Sequence, residues 1–219
     1  MINSINIQIR ETNTDDFDSI MTVEKQAFGY DKEAQLVADL LADKTAKPMV
    51  SLLAFYKGEA VGHILFTRAY FDGQGAQQMM HILAPLAVKP EYQRQGIGGM
   101  LIRAGIERLQ EKGSCLVFVL GHKEYYPKYG FIPDAARLGY PAPYPILEQF
   151  SDYWMVQAIS PKGFDVDKGK GKAVFYAPEE KDGEMVYNMS AQVLYKEQRT
   201  NINITCRKPG EMEWALDLV

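Results

Sequence analysis

Residues 93–99 read Gln-Arg-Gln-Gly-Ile-Gly-Gly, and a segment of helical periodicity starts at once behind them. Leu101, Ile102, Ile106 and Leu109 face one way while Arg103, Glu107 and Gln110 face the other, until about Lys112, where Gly113 offers a C-terminal cap. Residues 115–120, Cys-Leu-Val-Phe-Val-Leu, then form a continuous apolar run, the mark of a strand covered on both faces. With an extended segment at 79–88 ahead of the loop, this order predicts a βαβ unit at the centre of an α/β fold. Closely spaced glycines at a helix start leave backbone N–H groups unobstructed at the positive end of the helix dipole, where an anion can sit. A tight strand-to-helix turn with glycines for packing fits a bare Gly-x-Gly equally well. A Walker loop is excluded, because Gly98-Gly99 is followed by Met100 and not by Lys-Ser/Thr. A Rossmann fingerprint belongs early in its fold, whereas this loop lies at mid-chain.

The upstream residues predict an antiparallel meander. Ile5, Ile7 and Ile9 alternate with polar residues as in a strand with one buried face. Thr14 is the expected N-cap of a helix with Asp15 and Asp16 in its first turn. Phe17, Ile20, Met21 and Phe28 form that helix's apolar stripe, and Glu24 falls on the same stripe, where a carboxylate needs a reason. Leu36, Val37, Leu40 and Leu41 mark a second helix. Residues 49–56 and 60–71 are strand-like and are joined by Lys57-Gly58-Glu59, a hairpin signal. Asp72-Gly73-Gln74-Gly75 turns the chain into the strand at 79–88, where Pro85 lacks a ladder donor, so a bulge or an edge is expected there and the strand is expected to be interrupted near its end.

Beyond Gly130 the pattern is weaker: a proline loop at 140–145, a strand at 153–159, and a Gly/Lys/Asp loop at 165–171. Strand-like pieces follow from 173 onward, with Met212, Trp214, Leu216 and Leu218 alternating with Glu211, Glu213 and Asp217. The expected division is a main domain at 1–164 and a β-rich C-terminal extension at 165–219 packed on it.

Composition decides the partner class. The chain has 219 residues with 24 Lys+Arg against 28 Asp+Glu, a net charge of −4, so no global positive field exists to hold nucleic acid. No apolar stretch approaches the ~20 residues of a membrane span, the first residues lack a signal-peptide pattern, and only Cys115 and Cys206 are present. A cytoplasmic chain with reduced thiols and no membrane association is therefore expected. His63, His81 and His122 are isolated from one another and from the cysteines, so no metal site is expected.

Two segments carry a family resemblance. Leu86-Ala87-Val88, Pro90-Glu91-Tyr92 and Gln93-Arg94-Gln95-Gly96-Ile97-Gly98 resemble the acyl-CoA-binding segment of the GNAT superfamily of N-acetyltransferases, whose pattern is Gln/Arg-x-x-Gly-x-Gly/Ala. Tyr125-Tyr126-Pro127-Lys128-Tyr129-Gly130-Phe131 is similar to that family's aromatic-Tyr-x-x-x-Gly-Phe segment. The element order agrees over about residues 5–160, with most likeness to small bacterial N-acetyltransferases of unassigned acceptor. The resemblance implies a mixed, mostly antiparallel sheet flanked by helices, and direct transfer of an acetyl group from acetyl-CoA to an amine. It places the pyrophosphate on the backbone of Arg94, Gln95, Gly96, Ile97, Gly98 and Gly99, with Gln93 at the mouth of the loop, and the pantetheine arm along Leu86, Ala87 and Val88. Tyr126 would donate a hydrogen bond or proton to the leaving thiolate. Glu24 would serve as the amine-side base or contact the acceptor, the alternative being a buried carboxylate with a structural partner. A different class stays open: an acyl-CoA-binding regulatory module with weak or no turnover. A small amine, an aminoglycoside-like compound and a peptide amine are all admissible acceptors, and a homodimer is compatible.

Overall fold

The computed structural model describes residues 7–71, 78–142, 146–161, 163–165, 173–174, 187–195 and 198–206. Its strands are β1 (Ile7–Glu11), β2 (Val50–Tyr56), β3 (Glu59–Phe71), β4 (Met79–Val88), β5 (Ser114–Leu120), β6 (Trp154–Ala158) and β7 (Ala173–Val174), with a separate hairpin of β8 (Tyr187–Tyr195) and β9 (Gln198–Cys206). Three helices, α1 (Phe17–Phe28), α2 (Lys32–Ala42) and α3 (Ile97–Glu111), complete the mixed α/β architecture. The main sheet has the order β1-β2-β3-β4-β5-β6, with β7 paired to the end of β3. The chain divides into two compact units, Met1–Thr67 with Leu83–Lys112 and Arg68–Ile82 with Gly113–Val219, so β3 and β4 contribute residues to both.

In the first unit the helix cap is Asn13, one residue before the expected Thr14. Its side chain accepts from the Asp15 N–H at 2.8 Å, while Asp16 reaches back to the Asn13 N–H at 2.9 Å, a reciprocal box that satisfies two helix-start donors. Asp16 also takes two hydrogen bonds from Arg10 of β1, each 2.7 Å, and that guanidinium holds its carboxyl down at about 2. Phe17, expected on the apolar stripe, is exposed, because the short turn Thr14–Asp16 shifts the buried face of α1 to Ile20, Val23 and Glu24. Ile20 and Val23 pack with Val37 and Leu40 of α2 and with Leu53, Leu65 and Ala87 of the sheet.

The hairpin expected at Lys57-Gly58-Glu59 is a two-residue turn, since Tyr56 pairs with Glu59. Lys57 and Gly58 have φ of 50° and 85°, the left-handed geometry that matches the twist of a tight hairpin. Pro85 does not interrupt its strand: β4 runs unbroken from Met79 to Val88. A single missing donor leaves the other ladder groups of a ten-residue strand able to pair. Helix α3 closes on the sheet at Gly105, where a methyl group would stand 2.6 Å from Cζ of Phe66, so the phenyl ring occupies the place of a side chain.

In the second unit β5 is buried along nearly its whole length and pairs antiparallel with β6. Phe118 stacks on Trp154 with ring centroids 5.4 Å apart, and Trp154 donates its indole N–H to the Tyr140 carbonyl at 2.8 Å. His81 is fully buried, its Nδ1 2.9 Å from Ser114 Oγ, and so has a structural partner. Ile5, the turn at 72–75, residues 143–145 of the proline loop and the alternating face Met212, Trp214, Leu216 and Leu218 lie outside the described residues. Among the described residues no helix is long and apolar enough to cross a membrane.

Candidate active site

At the end of β4 a short turn, Pro90–Tyr92, leads into the glycine loop, and two glutamine side chains pin that loop in place. Gln93 donates to the Val88 carbonyl at 3.0 Å and Gln95 to the Glu91 carbonyl at 3.0 Å. Arg94 bends the chain with a φ of 58° and is exposed, and Gly96 follows at 87° as the cap of α3. No side chain caps that helix, and its first hydrogen bond runs from Met100 N–H to the Gly96 carbonyl at 3.0 Å. The N–H groups of residues 96–99 therefore precede the helix's own ladder, and helix geometry leaves them without acceptors at the positive dipole end. Ile97, Gly98 and Gly99 are buried in the first turn of α3. Leu86 and Val88 are half-buried beside the buried Ala87 at the end of β4. These ten residues lie along the chain from the end of β4 to the start of α3.

Glu24 has a structural partner. Its carboxylate lies 2.5 Å from Nδ1 of His63, whose Nε2 is 3.0 Å from Ser51 Oγ, and both Glu24 and His63 are 0 % exposed. Burial pushes the Glu24 carboxyl above its ordinary value, and the hydrogen bond to His63 pulls it partly back. The second carboxylate oxygen of Glu24 has no hydrogen-bond partner among the described residues. The order Ser–His–Glu is that of a nucleophilic triad, but Ser51 is itself buried in β2, so the chain serves as an internal brace between α1, β2 and β3. At the corner between α1 and α2, Tyr30 donates to the buried Glu33 at 2.9 Å, and burial followed by that bond lifts the phenol to about 12.

In the second unit Tyr126 opens the short turn Tyr126–Tyr129, which Gly130 ends at a φ of 94°. Its ring is buried and meets Tyr125 at 5.2 Å and Phe131 at 5.6 Å, both edge-on. Desolvation raises its phenol well above the ordinary tyrosine value, so the hydroxyl keeps its proton throughout the working pH range. That hydroxyl makes no hydrogen bond to any described residue. His122, on the loop just before the tyrosines, has a buried Nε2 without a partner among the described residues.

Sequence reasoning marked Glu24 and His63 separately and missed their union across 39 positions; a carboxylate on one apolar stripe and a histidine inside an apolar strand were the available signals. Gly121 carries no local sequence signal: nothing in its neighbours announces why it is glycine.

Residues 8–133 match the acetyltransferase (GNAT) domain family. The chain is 58 % identical over 149 residues, 68 % of its own length and 82 % of the relative's, to the uncharacterised N-acetyltransferase YjhQ of Escherichia coli (strain K12). It is 32 % identical over 108 residues to the uncharacterised N-acetyltransferase YhbS of the same strain, spanning 49 % of this chain and 62 % of that one. The crystal structure of Escherichia coli YhbS in complex with CoA superposes with a TM-score of 0.68 at 25 % identity, covering 80 % of this chain and 93 % of that chain. A GNAT family acetyltransferase from Brucella melitensis in complex with acetyl-CoA gives 0.59 at 29 % identity, covering 78 % and 96 %.

Proposed function

Because the chain belongs to the GNAT acetyltransferase family and is an acyltransferase, we propose that it moves the acetyl group of acetyl-CoA directly to the nitrogen of an amine. The observation that carries this reading is the row of N–H groups at 96–99, without helical acceptors, at the mouth of a loop whose flanking glutamines are already engaged. A diphosphate fits that row: it offers the acceptors the helix start lacks, and the uncharged glycines let it approach. Solved relatives in complex with CoA or acetyl-CoA support acetyl-CoA as the cosubstrate. Leu86, Ala87 and Val88 would lend main-chain groups to the amides of the pantetheine arm, as an added strand does. Residues 1–164 would carry the enzyme, and 165–219 would be an addition to it.

Two proton transfers set the chemistry. An alkyl amine with a pKa near ~10.4 is about one part in a thousand neutral at pH 7.4, a cost of ~4 kcal/mol that burial or a base must offset. The leaving thiolate, with a pKa near ~8.5, needs a donor, and the Tyr126 phenol, which keeps its proton, would supply a hydrogen bond or proton to it. Glu24 belongs to the brace around His63 and enters as a positioning group, since its carboxylate is enclosed.

The test is release of free CoA from acetyl-CoA over a panel containing a diamine, an aminoglycoside and a lysyl peptide. Thiol release with at least one amine is expected; binding of acetyl-CoA without release on any amine would leave a binding module instead. Gly98→Asp places a carboxylate where the diphosphate approaches. On folded protein it is expected to abolish the rise in melting temperature that acetyl-CoA produces, and an unaltered rise would remove the assignment of the loop.

A further inference from the structure

Gly121 is the first residue after β5, and its backbone does not need glycine: its φ lies outside the left-handed region that Gly96 and Gly130 occupy. What it lacks is room. A methyl group built there would overlap Cε2 of Tyr126 and stand 3.0 Å from Cδ2 and 3.3 Å from Cζ, so the tyrosine ring fills the volume of the absent side chain. The surrounding backbone fixes both partners. Gly121 N–H donates to the Tyr153 carbonyl at 2.9 Å, tying the end of β5 to the start of β6. The His122 carbonyl accepts from the N–H groups of Tyr125 at 3.0 Å and Tyr126 at 3.3 Å, so the turn bearing the ring hangs directly from this point. Phe131 and Tyr125 hold the ring edge-on from other sides.

We propose that Gly121 is a positioning residue, the flat seat against which the Tyr126 ring rests and which sets where its hydroxyl stands. The proposal rests on the proton-donor role of Tyr126 and adds a determinant of it that lies outside the family motif. A donor works only within about 2.6–3.2 Å of the atom it protonates. A methyl at 121 must push the ring away until ordinary van der Waals contact is restored, and a displacement on the order of 1 Å can cost about 10²-fold in rate.

The experiment is a double-mutant cycle on the full chain, read with the panel amine that wild type acetylates fastest. Tyr126→Phe is expected to lower kcat about 10²-fold with the KM for acetyl-CoA unchanged. Gly121→Ala is expected to lower kcat at least ~10-fold with the same unchanged KM, and Gly121→Ala/Tyr126→Phe to be no slower than Tyr126→Phe alone. A merely structural glycine would give multiplying losses in the double variant, or no loss in Gly121→Ala, and either overturns the proposal while the tyrosine reading stands. An unimpaired Tyr126→Phe, or a panel on which wild type releases no CoA, removes the reading and this proposal with it. Should Gly121→Ala not fold, Phe131→Leu frees the ring from another side without adding volume. It is then expected to lower kcat alone but not on top of Tyr126→Phe, and additive losses there overturn the seat.

Discussion

His63 sits fully buried between a hydroxyl and a carboxylate, which makes its removal a charge problem more than a packing problem. Removing the partner of a buried carboxylate leaves its charged form uncompensated, which typically costs about 3–5 kcal/mol. The pH dependence follows from the direction of the Glu24 shift. Its carboxyl is raised above 4.5 in the folded chain, so the folded state holds the proton more tightly than the unfolded one. That contribution is full below 4.5 and is lost as pH rises through the folded value. His63→Phe keeps ring volume but removes the one side-chain partner that pulls the carboxyl down, so the loss extends further up the scale. Urea unfolding at pH 5, 6.5 and 8 should therefore find His63→Phe progressively less stable with rising pH relative to wild type, by about 2–4 kcal/mol at pH 8. Adding Glu24→Gln should flatten that dependence. A His63→Phe chain equally destabilised at all three values would mean that the ring matters only for packing.

Helix α3 shows two opposed effects at one position. In an exposed helix Gly→Ala gains about 1 kcal/mol from backbone entropy. At Gly105 the added methyl meets Phe66 at 2.6 Å and closer, inside a core where overpacking costs about 1–3 kcal/mol. Overlap should win, since Phe66 is fully buried on β3 and has no solvent to turn into. Gly105→Ala is expected to destabilise by about 1–2 kcal/mol, and Gly105→Ala/Phe66→Leu to be more stable than the sum of the two single variants predicts. Thermal unfolding of the four chains decides it, and a stabilised Gly105→Ala would mean that the helix rides higher on the sheet than described. Helix α3, which starts from the glycine loop, is thus set by its packing on β3 as much as by the loop.

For the whole molecule the question is what residues beyond 164 contribute. β7 adds two residue pairs to the end of β3, while β8 and β9 pair with each other, and a two-stranded hairpin alone is marginal in water. The family match ends at residue 133, well before this region. A chain ending at residue 171 is expected to lose the β7 pairing, drop in melting temperature by a few degrees, the scale of about 1 kcal/mol for a chain of this length, and keep the rise caused by acetyl-CoA. Calorimetry with and without acetyl-CoA, together with light scattering, checks this. Loss of the acetyl-CoA response, or a change in association state, would show that the addition takes part in the site or in an interface.

The glycine loop, its helix and the apolar strand after it were legible because each rests on a local rule: glycine spacing, a 3.6-residue period, an uninterrupted apolar run. The hairpin at Lys57 and Gly58 and the tyrosine turn before Gly130 were legible for the same reason. The exchange of Thr14 for Asn13 as the cap, and the exposure of Phe17 that follows, turn on which of two neighbouring polar residues meets Asp16. Arg10, on the preceding strand, helps to hold that carboxylate. The partner of Glu24 and the reason for Gly121 belong to the tertiary structure alone. A buried carboxylate demands a donor, but only the packing of α1 across β2 and β3 supplies His63 from 39 residues away. A glycine of ordinary φ carries no local signature, and only the folded turn puts a tyrosine ring in the space its side chain would take.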